Sequence, residues 1–163
     1  MLRTVIITAA LLAAAPAMAA PPVVHTGAAE SPIASSVTVP PGYTTVYVSG
    51  MVPAVAHPDA EKGSIASFGT TEEQTESVLG KIEAELKGQG LTFKDVVQMR
   101  VYLAGDPAMG GKMDFAGMMK AYTRHFGTAD QPNKPSRATI QVAALAAPGF
   151  LVEIEVVAVK PAV

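Results

Sequence analysis

Between Thr70 and Ala158 the spacing of apolar residues switches three times between a helical and a strand period, and this alternation limits the fold more than any other feature of the chain. Val78, Leu79, Ile82 and Leu86 recur on one helical face, while Glu76, Lys81, Glu83, Glu85 and Lys87 occupy the others. Two overlapping capping boxes, Thr70 with Glu73 and Thr71 with Gln74, mark the start of that helix, and Gly88 and Gly90 mark its end. Val97, Met99, Val101 and Leu103 then alternate with Gln98, Arg100 and Tyr102, the pattern of a strand with one buried face. Asp114 caps a second predicted helix whose Phe115, Met118, Met119, Tyr122 and Phe126 share a face, ended by Gly127. Two strands follow: Ala138, Ile140, Val142 and Ala144 are expected to face the core opposite Arg137, Thr139 and Gln141, and Val152, Ile154, Val156 and Ala158 opposite Glu153 and Glu155. Upstream, Ala34 to Val39 and Thr44 to Ser49 flank Pro40-Pro41-Gly42 and predict a hairpin, and Gly50 to Gly69 predicts a loop with at most a short strand. The sum is an α+β domain: a mostly antiparallel or mixed, neighbour-paired sheet with two helices packed on one face.

The first residues say where such a domain works. Arg3 precedes an apolar run from Val5 to Ala15, closed by Pro16 and Ala17-Met18-Ala19, which reads as a secretory signal peptide over residues 1–19, cut after Ala19. The run is too short for a membrane anchor, and no cysteine follows it to carry a lipid. Residues 20–31 read as a flexible leader and residues 32–163 as a single domain, periplasmic or secreted. The chain has no cysteine, which excludes disulfides and thiol chemistry, and its formal net charge of -2, with no basic stripe, makes nucleic acid and anionic membrane poor partners.

Candidate chemistry is sparse. His25, His57 and His125 have no partner at metal-ligand spacing and read as surface residues, so no metal is expected. No Gly-x-Ser-x-Gly is present, and the glycine-rich stretches match no phosphate-binding pattern. Arg137 and Glu153 stand out as charges on strands that also supply core. A guanidinium approached through Pro132-Asn133-Lys134-Pro135-Ser136 suits a carboxylate ligand, although the same residues are equally readable as the wet side of a sheet.

The strings Val46-Tyr-Val-Ser-Gly-Met-Val-Pro53, Asp114-Phe-Ala-Gly-Met-Met-Lys-Ala-Tyr122, Pro135-Ser-Arg-Ala-Thr-Ile-Gln-Val-Ala143 and Val152-Glu-Ile-Glu-Val-Val-Ala-Val159 together resemble the RidA, or YjgF-like, family over about Ser31 to Lys160. The resemblance implies a chorismate-mutase-like protomer, a homotrimer with clefts between subunits, and hydrolysis of reactive enamine and imine acids to 2-keto acids and ammonia without a cofactor. By the same resemblance Arg137 holds the substrate carboxylate, Glu153 positions water and Ser49 lines the cleft. The chain departs from the family's pattern in having Ile33 where a tyrosine is common, Met119 in place of an asparagine and Thr139 in place of a cysteine. These substitutions leave two further readings open: a trimeric carboxylate-binding or holdase-like module without turnover, and a structural subunit whose clefts Ile33 and Met119 fill.

Overall fold

The computed structural model describes residues 21–162, so the export signal read at residues 1–19 lies outside the described residues. Six strands and three helices follow in chain order: β1 (Val24–Thr26), β2 (Ser36–Thr38), β3 (Tyr43–Met51), α1 (Ile65–Phe68), α2 (Thr71–Gly88), β4 (Val96–Ala104), α3 (Phe115–His125), β5 (Ser136–Val142) and β6 (Val152–Pro161). The main sheet has the order β3-β6-β4-β5, with β6 antiparallel to both its neighbours and β5 parallel to β4. The expected neighbour pairing therefore holds in this sheet only for β4 and β5, which α3 connects as a crossover.

The predicted hairpin does not form. Pro40 and Pro41 offer no amide hydrogen to a ladder, and β3 pairs instead with β6, from Tyr43 opposite Pro161 to Met51 opposite Ile154. The partner of β2 is β1, with His25 opposite Val37, inside the segment expected to be a flexible leader. That segment is tied down further on. The Lys134 ammonium donates to the carbonyls of Ala28, Ala29 and Ser31, and His25 Nδ1 lies 2.8 Å from the Lys134 carbonyl. In the long loop the short regular element is a helical turn, α1, capped by Ser64, and not a strand.

Both amphipathic helices pack on one sheet face as their periodicity demands. Val78, Leu79, Ile82 and Leu86 of α2 and Met118 and Tyr122 of α3 are buried with Met99, Val101, Leu103, Ile154 and Val156 in one core. Thr70 and Glu73 close the predicted capping box, and the Asp114 side chain accepts from the Gly117 amide at the start of α3. The second predicted box is absent because Gln74 is used elsewhere. Its amide nitrogen donates to the Gly69 and Gly149 carbonyls, and its oxygen accepts from the Leu151 amide, bracing the entry to β6 against α2.

Strand β5 faces the opposite way from its expected orientation. Parallel pairing sets Arg137 opposite Met99 and Thr139 opposite Val101, two fully buried core residues, so the polar set of the strand points toward the helices. Ile140 sits on the other face and is 50% exposed. Alternation identifies two faces of a strand but names the buried one only through polarity, and on this edge strand the polar face is the covered one.

Candidate active site

Three residues of α3, spaced one and two turns apart, surround the Arg137 guanidinium. Its carbon lies 4.2 Å from the centre of the Tyr122 ring and 6.0 Å from that of Phe115, and Nη2 donates to the Met119 sulfur at 3.1 Å. Arg137 Nε and Nη1 and Thr139 Oγ1 are buried without a hydrogen-bond partner, and among the described residues Arg137 forms no ion pair. Burial pushes its pKa below the ordinary guanidinium value, and the same burial drives the Tyr122 phenol up to about 12. Tyr122 is therefore a neutral ring and Arg137 an enclosed cation.

The energies are unequal. Withdrawing a charge from water costs several kcal/mol, a desolvated cation–π contact returns about 2 kcal/mol, and a thioether is a weak acceptor. Each charge-assisted hydrogen bond donated by the guanidinium to a carboxylate would add about 1.5 to 3 kcal/mol. The site is thus undercompensated until an anion meets it.

A cavity of about 330 Å³ beside the start of β5 is lined by residues 33–35, by residues 98–100 of β4 and by residues 136–138, Ile33, Arg100 and Arg137 among them. The Ile33 segment is fixed from both ends: Ala34 bridges to Ser136, and the Tyr122 hydroxyl donates to the Pro32 carbonyl at 3.0 Å. Ile33 and Met119 also pack against the core, only partly buried. Ile33 lines the cavity, whereas Met119 meets the guanidinium itself.

Glu153 and Ser49 are elsewhere. Tyr102 pairs with both Glu153 and Ile140, which places the glutamate on the outer face of the sheet while its neighbours Val152 and Ile154 are buried on the inner one. The Glu153 carboxylate lies over Gly50, where a β-carbon would come within 2.1 Å of Oε1, and Ser49 is the next residue in the same irregular stretch of β3. A protomer therefore brings together Arg137, Thr139, Met119 and Ile33 on one side and Glu153 with Ser49 on the other. It does not bring the two groups to each other.

Nothing in the sequence marks Tyr122 and Phe115 as site residues rather than core. Their signal is the stripe Phe115, Met119, Tyr122, which helical spacing alone assigns to core. Only the reversed facing of β5 turns that stripe into the wall of a cation. Among the described residues no cluster of three metal-ligating side chains occurs. His125 and His57 instead lie beside Glu76 and Glu73, at 2.7 and 3.5 Å.

Comparison with known proteins gives consistent relatives. The family described as Endoribonuclease L-PSP matches residues 28–160. A RutC family protein of Pyrococcus abyssi is 34% identical over 115 residues, covering 71% of this chain and 78% of that protein. Among solved structures, YyfB of the Rid family from Yersinia pestis has 25% identity and a TM-score of 0.60, covering 79% of this chain and 87% of its own. Escherichia coli TdcF, solved with bound serine, has 25% identity and a TM-score of 0.55, covering 82% and 96%.

Proposed function

The chain belongs to the L-PSP/YjgF family, and from that premise we propose that it hydrolyses reactive 2-imino and enamine acids to 2-keto acids and ammonia, as an exported homotrimer. The observation that carries this reading is the enclosed Arg137 guanidinium with two nitrogens unpartnered. It is a cation whose remaining hydrogen-bonding capacity a small carboxylate would satisfy, and the serine in TdcF is a ligand of that chemistry. The imine carbon is already electrophilic, so its hydrolysis asks the protein for little beyond orientation and one base. Arg137 and Thr139 hold the carboxylate, and Glu153 accepts a proton from the water that attacks the imine carbon. Nitrogen then leaves as ammonia once protonated.

Because Arg137 and Glu153 lie on opposite faces of one sheet, a site that uses both has to be built from two copies. The outer face supports such an assembly: Tyr47 and Ile140 are 79% and 50% exposed there, apolar surface that a second copy would cover. The family takes its name from an endoribonuclease. A net charge of -2 and a single enclosed cation are poor matches to a phosphodiester chain, which is gripped by many exposed basic groups. Export rests on the signal pattern of residues 1–19, and N-terminal sequencing of the protein recovered from the periplasm or medium tests it by starting at Ala20.

The decisive assay generates imino acids with an amino-acid oxidase, traps survivors with semicarbazide and measures whether the mature protein speeds their loss. Acceleration that Arg137→Ala abolishes is the expected result. Failure across small, aliphatic and aromatic imines, with carboxylate binding retained, would favour the second reading, a binding module without turnover. The Met119 sulfur against Arg137 is the observation on its side, since an apolar side chain stands there in contact with the anchor.

A further inference from the structure

Arg137 is an anchor that no carboxylate among the described residues neutralises, and something must nonetheless hold it in place. Tyr122 does so at two points. Its ring lies 4.2 Å beneath the guanidinium carbon, and its hydroxyl donates to the Pro32 carbonyl at 3.0 Å, one residue before Ile33. The ring itself cannot shift: Tyr122 is 1% exposed and stacks on Phe126 at 4.9 Å with an interplanar angle of 13°. Thus one buried side chain touches both the guanidinium and the segment that leads into Ile33.

We infer that Tyr122 is the positioning residue of the carboxylate site, supporting the Arg137 guanidinium by its π face and the Ile33 segment by its hydroxyl. This inference rests on the reading of Arg137 as carboxylate anchor. A carboxylate under the guanidinium would hold it equally well but would consume the charge a ligand needs, whereas a π face supports the cation and leaves its N–H groups free. The phenol remains protonated because burial raises its pKa to about 12, so it never competes as an anion.

The test uses the full mature chain and 2-oxobutyrate as the probe, with affinity measured by calorimetry. Tyr122→Phe keeps the ring and cuts only the tie to Pro32, and should raise Kd by a factor of no more than about three, while Tyr122→Leu removes the π face as well and should raise Kd at least about tenfold, with KM for an imino acid rising in parallel and kcat falling less than threefold. Since Tyr122→Leu also opens space in the core, a second series replaces Tyr122 by phenylalanine carrying one, two or three ring fluorines, which drain the π face at almost constant shape. Log Kd rising steadily with fluorine count supports the inference. A flat series, or a folded Tyr122→Leu protein binding like the parent, overturns it and leaves the anchor standing. A parent protein that binds no 2-oxobutyrate overturns both.

Discussion

Arg100 and Arg137 lie on adjacent strands one register step apart, since Arg100 is opposite Ala138 and Arg137 opposite Met99, yet they meet opposite fates. Arg100 is on the outer face, half exposed, with an ion pair to Glu155 that holds its pKa above the ordinary value. Arg137 is on the inner face, enclosed by Tyr122, Phe115 and Met119, with no acidic partner in its own chain among the described residues. Where water would have served as solvent, the chain supplies a carboxylate, and where burial makes a counter-charge most valuable, it withholds one. A surface pair of the first kind contributes little, because water screens it. The second arrangement costs stability in the free protein and is recovered only when a ligand binds.

That contrast can be broken or sharpened by substitution. The largest effect is expected of Arg137→Ala, which removes about two charge-assisted hydrogen bonds and should lower kcat/KM for imino acids about 1000-fold, mostly through KM. Its melting temperature should not fall, because the deleted charge had no acidic partner among the described residues to offset its burial. A clearly less stable Arg137→Ala protein would mean that the cation is structurally paired after all. Next comes Glu153→Gln, which keeps the shape but loses the base: kcat should drop about 100-fold while Kd for 2-oxobutyrate changes little, so that binding and chemistry separate onto the two faces. Gly50→Ala sets a methyl group against the Glu153 carboxylate, and turning that carboxylate aside should reduce kcat about tenfold, as steady-state rates will show. Smallest is Arg100→Ala, for which calorimetry should find Kd for 2-oxobutyrate within about threefold of the parent. If it matched Arg137→Ala, the distinction between the two arginines would be gone.

Much of this was legible in the sequence, and the exceptions share a cause. The periods of α2, β4, α3 and β6 follow local chemistry, as do the caps at Thr70 and Asp114, because each depends on residues within one or two turns. Arg137 and Glu153 were recognisable as charges on core-bearing strands. What the sequence concealed are long-range choices: β3 selects β6 over β2, β1 draws the leader into a small sheet, and β5 shows its polar set to the helices. Tyr122 is hidden for the same reason. Seen along α3 it is an ordinary core aromatic, and only the guanidinium arriving from β5 gives its ring another use.

The placement of Arg137 and Glu153 on opposite faces has a genetic corollary. A chain carrying Arg137→Ala still offers an intact glutamate face, and one carrying Glu153→Gln still offers an intact arginine face. Refolded together, two dead proteins should regain part of the parental rate, because some junctions then unite one sound half from each. Co-expression of two null alleles would rescue each other, whereas the double mutant mixed with itself would stay silent.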